Sequence, residues 1–318
     1  MKGEPRARGF GGIATSDEPP SAPLWRRIEA PTWGLIFLVY GGWLAVTWFY
    51  TSMPWWLSVP LGAWLTAWHS SFQHEALHGH PTRSARINAL LAWPPLSLWL
   101  PYPIYRSMHL THHRDSHLTC PANDPESFYM TAARWRSLGM PARRFWIAYN
   151  TLAGRLLLGP AVHALRLWRS EASAILRGDV NKLRVWALHG LGVALVLYWA
   201  TAVCGIPILV YLFGFAYAGM SLILLRSYAE HRAAADPLHR TAIVEGALPW
   251  RLLYLGNNYH VLHHERPAMP WYYLAASYRA ERRRLLAQND GYLVSGYGQL
   301  FRRYLFKPKE APMHPYDA

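Results

Sequence analysis

Long apolar runs alternate with short basic segments along this chain. No lysine or arginine occurs between Arg27 and Arg83, and none occurs between Arg184 and Arg226. An α-helix rises about 1.5 Å per residue, so roughly 20 apolar residues cross the hydrocarbon core of a bilayer. Each stretch without lysine or arginine has room for two such helices. The pattern therefore predicts two helical hairpins that lie in a membrane.

The two hairpins correspond to four predicted transmembrane helices, at residues 33–51, 54–72, 183–203 and 206–226. Pro54 separates the first pair, and Cys204-Gly205 separates the second. Both turns lack positive charge, whereas the outer flanks of both hairpins are basic. By the positive-inside rule we expect the turns outside and both chain ends in the cytoplasm, with the inner (plasma) membrane as the location if the protein is bacterial.

Two further apolar segments do not fit a straight transmembrane helix. Residues 87–104 contain four prolines, which predict a kinked re-entrant or interfacial segment. Residues 145–168 mix leucine and tryptophan with arginine, and Gly159-Pro160 interrupts them. That pattern favours a pair of amphipathic helices on the membrane surface, with a buried helix of the soluble type as the alternative.

The predicted fold class is all-α. We expect a polytopic membrane protein with four transmembrane helices in two hairpins, interfacial helices and a cytosolic cap rich in histidine. The membrane domain is expected over residues 28–306. The polar, basic residues 1–27 predict a disordered N-terminal tail, and the Pro-rich residues 307–318 predict a loose C-terminal tail.

Composition and charge narrow the classes of partner. The net charge is +14, and the chain has 17 tryptophans and 19 tyrosines. Tryptophan and tyrosine are typical of membrane interfaces, and the basic residues flank apolar runs, so we expect no nucleic acid. A basic surface of this kind suits anionic lipid or an acidic protein. Cys120 and Cys204 are far apart and form neither a disulfide framework nor a zinc motif.

Histidines cluster at three places, and one more follows the second hairpin. The HxxHH pattern occurs twice, and with 16 histidines in 318 residues chance produces roughly 0.04 such triads. Residues at i, i+3 and i+4 share one face of a helix, so each triad is expected to converge on one point. The candidate metal ligands are His74, His78, His109, His112, His113, His231, His260, His263 and His264.

Nine imidazoles are too many for one ion, which accepts about six donors, so they predict two metal ions. Imidazole without thiolate suits iron, zinc, copper or nickel. Ring nitrogens that do not bind metal need acceptors, and four carboxylates close in sequence are candidates: Glu75, Asp115, Glu230 and Glu265. His80 and His117 lie beside clusters, and either is an alternative to a named ligand.

The order HxxxH, HxxHH, single histidine and HxxHH resembles the membrane fatty acid desaturase and hydroxylase superfamily. The resemblance extends from about residue 69 to 274, and Gly-Asn-Asn-Tyr-His-x-x-His-His at 256–264 is similar to bacterial members. It implies a four-helix membrane fold with a cytosolic cap, two non-haem iron ions as cofactor, and O₂ as co-substrate with two electrons. By position, the nine histidines above would be the iron ligands.

One position departs from the family pattern. Acyl-CoA desaturases of animals have an asparagine four residues before the single histidine, and it reaches a metal through water. Here that residue is Ser227, and Asn257 or Asn258 could take its place.

The resemblance implies removal of two hydrogens from a fatty acyl chain to leave a double bond. Hydroxylation, or another oxidation of an acyl, alkyl or carotenoid-like lipid, is the nearest alternative. A metal transporter is disfavoured because the clusters lie at helix ends. A zinc hydrolase with His74-Glu75-Ala76-Leu77-His78 as its site leaves both triads without a purpose.

The chain has no flavin, nicotinamide or haem motif, so electrons must come from a separate carrier. We expect an acidic ferredoxin or a similar protein to dock on the basic residues Arg279, Arg282, Arg283 and Arg284.

Overall fold

The computed structural model describes residues 23–113 and 117–316. The described residues are mostly helical, as the sequence predicts. In chain order the helices are α1 (Leu24–Arg27), α2 (Ala30–Trp48), α3 (Trp55–Leu77), α4 (Ala85–Ala92), α5 (Tyr102–His112), α6 (Ala132–Arg136), α7 (Met140–Tyr149), α8 (Leu152–Leu176), α9 (Val180–Leu197), α10 (Ala218–Glu230), α11 (Leu248–Leu253), α12 (His260–Glu265), α13 (Trp271–Gln288) and α14 (Tyr297–Tyr304). Short 3₁₀ turns lie at Tyr50–Ser52 and Pro237–His239.

Two of the long helices extend through π-helical turns. α9 continues through Tyr198–Val203, and Val210–Tyr217 leads directly into α10. With these extensions, three helices in the described part of the chain are long and apolar enough to cross a membrane: Ala30–Trp48, Val180–Val203 and Val210–Glu230. They correspond to three of the four expected spans. The fourth expected span lies in α3, which is long but carries His69, His74 and Glu75 in its C-terminal half.

α3 is the central helix of the bundle and packs against α2 on one side and α10 on the other. Small residues allow the close approach. A Cβ on Gly62 would lie 2.4 Å from the ring of Phe215, and one on Gly219 would lie 3.0 Å from the carbonyl oxygen of Ala63. Helices that lie in lipid associate largely through close packing of this kind.

The proline-rich segment after the first hairpin is broken, as its sequence predicts. α4 ends at Ala92, an irregular stretch follows, and α5 begins after Pro101. The irregular stretch is tied into the core: Tyr211 donates a hydrogen bond to the carbonyl of Leu96, and His189 lies 2.9 Å from the carbonyl of Leu98. Whether the segment is re-entrant stays a prediction.

Residues 145–168 lie in two helices, but the break between them is not where the sequence predicted it, and their position on the membrane surface stays a prediction. We placed the break at Gly159-Pro160, whereas both residues lie inside the continuous helix α8. α7 instead ends at Tyr149, and the hydroxyl of Thr151 accepts a hydrogen bond from the Gly154 N–H to begin α8. Proline within a long helix is tolerated when neighbours pack around it, and Pro160 is buried.

The cap is formed by the segments after α5 and α10. Its sheet has two short parallel strands, β1 (Ile243–Val244) and β2 (Leu293–Val294). After α10 the chain becomes extended at His231, which forms an isolated antiparallel bridge with Thr241. This bridge orients His231 toward the segment that carries α12.

The two tails differ from our expectations. Residues 1–22 lie outside the described residues, but 24–27, which we included in the disordered tail, form α1. The C-terminal tail is not loose. The N–H of Met130 donates to the carbonyl of Pro312, and the carbonyl of Met130 accepts from the N–H of His314. Lys309 is buried against Tyr228 and His231. These contacts hold the C-terminal segment on the cap, and its Pro-rich composition alone did not predict them.

Candidate metal centre

The structure brings all nine predicted histidines together in two adjoining groups. We call His74, His78, His109, His113 and His263 the five-histidine group. We call His112, His231, His260 and His264 the four-histidine group. Within each group the candidate ligand atoms lie within 4.8 Å of one another. The groups touch, because the rings of His113 and His264 stack at a centroid distance of 4.4 Å.

Each HxxHH triad is divided between the groups, which corrects our expectation that a triad converges on one point. His109 and His113 enter the five-histidine group, whereas His112 enters the other. His260 and His264 enter the four-histidine group, whereas His263 enters the other. Residues at i and i+4 lie one above the other on a helix, so they meet at one site. The histidine at i+3 is rotated away from its i+4 neighbour and faces the second site.

Three helices direct their C-terminal ends at this centre. α3 delivers His74 in its last turn, α5 delivers His109 and His112, and α10 ends at the residue before His231. The C-terminal end of a helix carries a partial negative charge, which favours a cation there.

The spacing between ring nitrogens suits metal ligation. The Nε2 atom of His113 lies 3.0 Å from Nε2 of both His109 and His263. In the other group, Nε2 of His231 lies 3.1 Å from that of His112 and 3.0 Å from that of His260. Imidazole nitrogens bound at about 2.1 Å to one ion lie about 3.0 Å apart when their bonds meet at right angles. Both groups therefore fit a transition-metal ion.

Burial keeps most of these rings in the form that binds metal. Burial lowers the pKa of His78, His109, His113, His231, His260 and His263, and neighbouring histidines lower the pKa of each further. A neutral imidazole has a lone pair for a metal. His112 differs: burial lowers its pKa, but Glu126 and a hydrogen bond to Asp124 outweigh burial and raise the pKa to about 9.

Two carboxylates outside the predicted set orient ligand rings. His112 Nδ1 lies 2.9 Å from Asp124 Oδ1, and His109 Nδ1 lies 2.9 Å from Glu126 Oε1. Asp124 is itself held by the backbone N–H groups of Thr119 and Glu126. Carboxylates in this position fix the orientation of a ligating imidazole and make it a stronger donor. Their only sequence signal is an acidic turn after the second histidine cluster.

Asn257 and Glu230 contact rings of the two groups. Asn257 accepts at Oδ1 from His260 Nδ1 at 3.1 Å, and its Nδ2 lies 3.3 Å from Nε2 of His74. One amide thus reaches both groups. Glu230 Oε1 lies 3.3 Å from His260 Nδ1 and 2.9 Å from Nε of Arg226. Arg226 therefore contacts the carboxylate that lies against the candidate ligand His260. No sequence pattern predicted this contact.

Other predicted partners have different roles. Glu75 lies 3.8 Å from His74 Nδ1, too far for a hydrogen bond, and accepts from the Trp271 N–H. Asn258 binds the backbone of Val244. Glu265 pairs with Arg284 on the surface, and Asp115 lies outside the described residues.

The histidines left as alternatives stand apart from both groups. His80 turns to Glu29, with 2.8 Å between Nδ1 and Oε1, and both side chains are buried. His117 is exposed and lies 3.5 Å from the amide of Asn123. Ser227 occupies the position where animal acyl-CoA desaturases have an asparagine. Its hydroxyl donates a hydrogen bond to the carbonyl oxygen of Leu224.

A family model for fatty acid desaturases matches residues 50–296, about three quarters of the chain. The chain belongs to the fatty acid desaturase family. The match includes all nine histidines, and it confirms the resemblance stated from their order and spacing. A comparison with curated proteins finds no match. Membership of this desaturase family implies an oxidoreductase, and the histidine groups fit the metal site that such an enzyme requires.

One cavity of this desaturase-family protein adjoins the centre, and a second lies beside the first. The inner chamber, about 150 Å³, is lined by polar and apolar residues that include Gln73, Tyr105, Glu126, His163, Arg226 and Glu230. The apolar groove, about 540 Å³, is lined by residues that include Pro160, Ala164, Leu165, Trp168, Leu212 and Phe213. Ser97, Trp99 and Met220 line both cavities. The shared residues place the apolar groove next to the inner chamber, which in turn borders the centre through Glu126 and Glu230.

Proposed function

We propose that this protein is a membrane-bound, O₂-dependent di-iron oxidase that introduces a double bond into a fatty acyl chain. The observation that carries the proposal is the division of nine imidazoles into groups of five and four in a member of the desaturase family. Each group is large enough for one ion, and the two groups share a stacked pair of rings. A pair of ions can therefore act on one substrate.

The proposed ligands are the nine histidines, with His109 and His112 oriented by their carboxylates. Imidazole also suits zinc, copper and nickel; the family makes iron the better choice. Two irons held there would supply the oxidising power, from O₂ and two electrons, that breaks an unactivated C–H bond. A cage without thiolate has no ligand that such an oxidant would readily attack.

The protein's own residues prepare this chemistry by excluding water and fixing the rings. His74, His109, His112, His260 and His263 are each at most 2% exposed. The apolar groove is large enough for a hydrocarbon and shares Ser97, Trp99 and Met220 with the inner chamber that borders the centre. Desolvation strengthens every electrostatic contact within the site, and ring positions fixed in advance need no rearrangement during the reaction.

Hydroxylation by the same centre is the second candidate, because desaturation and hydroxylation begin with the same loss of hydrogen from carbon. The outcome depends on where the substrate lies relative to the irons. A hydrolase is less well supported: Glu75, which would be its general base, accepts a hydrogen bond from Trp271 N–H and does not contact the ring of His74. The centre also lies at helix ends, not at mid-span where a transport site is expected.

We propose that α3 is the fourth span, so that two hairpins place the centre and both chain ends in the cytoplasm. α3 packs along α2 and along the helix formed by Val210–Glu230, and both of these are apolar enough to cross a membrane. A helix enclosed on two sides needs less apolar surface of its own. The uncharged turns remain the support for the orientation.

The electron carrier is proposed to be an acidic protein such as a ferredoxin, but the basic surface is smaller than the sequence suggested. Arg282 pairs with Glu245, and Arg284 pairs with Glu265 and Glu281. Arg279 and Arg283 are exposed and have no acidic partner within residues 23–113 and 117–316. These two, at i and i+4 on one face of α13, are the preferred docking residues.

Expression in a host of known lipid composition tests the function. Lipid profiling by mass spectrometry is expected to detect unsaturated products that require O₂ and that disappear with His112→Ala. His239→Ala, on the cap surface and outside both groups, is the matched control. Hydroxylated products would favour the second candidate. A purified protein that contains zinc alone, with activity independent of O₂, would reject both.

A further inference from the structure

The inner chamber is polar on the side that faces the metal centre. Glu126 and Glu230 line it, and each contacts a ring of the centre, His109 and His260 respectively. A molecule in this chamber therefore lies one residue away from a ring of each histidine group. What the chamber can hold decides which part of a substrate lies next to the metals.

Two nitrogen groups in the chamber wall are not satisfied by the protein. Arg226 is only 7% exposed, and its Nε lies 2.9 Å from Glu230 Oε1 in an ion pair but has no hydrogen-bond partner in the described part of the chain. The Nε2 atom of His163 is buried and has no hydrogen-bond partner there either. Both side chains line the inner chamber. A guanidinium can only donate hydrogen bonds, and the Nε2–H tautomer of His163 donates as well. An oxygen acceptor from outside the protein would satisfy both groups.

The apolar groove has the opposite character. Its lining is almost wholly apolar, and its rim includes Leu165 and Phe213, each 62% exposed on the outer face of the bundle. An alkyl chain can lie there without leaving a polar group unpaired. The same chain in the inner chamber would cover Arg226 and His163 and leave them without an acceptor. Each unpaired buried donor weakens binding by roughly ten- to hundredfold.

We propose that the substrate lies with an uncharged oxygen acceptor, such as an ester or ketone carbonyl, against Arg226 and His163, while its alkyl chain trails through the apolar groove. This inference rests on the proposed function and adds the substrate class and orientation to it. The oxidised carbons then lie close to the polar end of the substrate. A free carboxylate fits less well, because Glu126 and Glu230 both face the chamber.

The reverse orientation is the competing arrangement. A polar cleft lined by Ser107, Thr111, Asn123 and Arg166 shares Met108 and Pro125 with the inner chamber. A headgroup held in that cleft would send its alkyl chain through the inner chamber toward the groove. The oxidised position would then be set by the distance from the cleft, and the two unsatisfied groups would face methylenes.

Binding to the metal-loaded protein in nanodiscs tests the proposal without relying on turnover. The probes are a methyl ester, the free acid and the hydrocarbon of one chain length, each measured by its shift of the thermal unfolding midpoint. We expect the ester to bind at least about tenfold tighter than the hydrocarbon. His163→Leu is expected to reduce that preference by about tenfold with metal content unchanged, whereas His239→Leu on the cap surface retains it in full.

A hydrocarbon that binds as tightly as the ester, a free acid that binds tighter than the ester, or a preference that is unchanged in His163→Leu would overturn the proposal. A series of esters of increasing chain length separates it from the proposed function. Oxidation at a fixed count from the carbonyl supports head-first binding. Oxidation at a fixed count from the methyl end refutes it while leaving the oxidase in place. If no ester is oxidised, the proposed oxidase function is rejected. The binding comparison then still tests whether Arg226 and His163 bind an oxygen acceptor.

Discussion

Asp124 accepts a hydrogen bond from Nδ1 of His112 at 2.9 Å, and both side chains are about 2% exposed. The carboxylate is fixed in turn by the N–H of Thr119 at 2.8 Å. A buried acceptor held this firmly sets the orientation of the ring and leaves Nε2 free to face the four-histidine group. The pair connects an otherwise irregular loop of the cap to the metal centre.

Asp124→Asn is expected to weaken metal binding by the four-histidine group about 10- to 100-fold, because an amide is a poorer acceptor for a ligating imidazole. Asp290→Asn is the control, because Asp290 is an exposed carboxylate that pairs with Arg232. Metal content after titration with a chelator measures the effect. Equal retention of metal by both variants would exclude a role for Asp124 in holding His112.

Neighbouring histidines are expected to belong to different ions. His113→Ala should lower the affinity of the five-histidine group and His112→Ala that of the four-histidine group, so each variant retains one ion of the pair. Elemental analysis of the purified variants measures this. If either substitution removes both ions while the protein remains folded, the two groups are not independent sites.

The C-terminal segment is predicted to support His231. Lys309 Nζ donates to the carbonyl oxygens of Tyr228 at 2.8 Å and His231 at 2.5 Å. Lys309→Met should loosen the extended backbone after α10 and lower metal affinity at the four-histidine group by about tenfold. Lys307→Met, exposed two residues earlier, should have no effect. An unchanged metal content in Lys309→Met would show that the C-terminal segment does not support His231 as a ligand.

The same lysine predicts a pH dependence of stability. Burial lowers the pKa of Lys309 to about 8, below its ordinary value of 10.5. Its uncharged form therefore stabilises the fold fully above pH 10.5, and that contribution is lost as the pH falls through about 8, by up to about 3 kcal/mol. Between pH 8 and 10.5, thermal unfolding should show the wild type gaining stability relative to Lys309→Met. Parallel pH profiles would contradict this.

Glycine packing in the bundle is open to a direct test. Gly62→Ala would put a Cβ 2.4 Å from the ring of Phe215, whereas nothing lies within 4 Å of a Cβ on Gly41. We expect Gly62→Ala to destabilise the protein by about 1–3 kcal/mol. Gly41→Ala should be neutral or slightly stabilising, since alanine is the better helix former. Similar unfolding midpoints for the two variants would show that α3 and the Val210–Tyr217 turn separate easily.

The helical class and the identity of the clustered histidines could be read from the sequence because both leave periodic signals. Apolar runs mark the long helices, and repeated i, i+3, i+4 spacing marks the triads. The division of each triad could not be read, because it depends on where α5 and α12 lie relative to each other. Spacing along one helix does not contain that information.

Contacts between distant segments were also hidden. Asp124 and Glu126 occupy an ordinary acidic turn, and only the folded loop brings them to His112 and His109. Lys309 lies in a Pro-rich tail that composition alone describes as loose. The arginines of α13 looked like one basic surface, but glutamates from three segments neutralise two of them.

Metal analysis of the purified protein, combined with X-ray absorption at the iron edge, tests the central claim most directly. The account predicts two irons per chain, with ligand shells dominated by imidazole nitrogen and without sulfur. Iron at one per chain or less under saturating conditions, or sulfur in the shell, would contradict it.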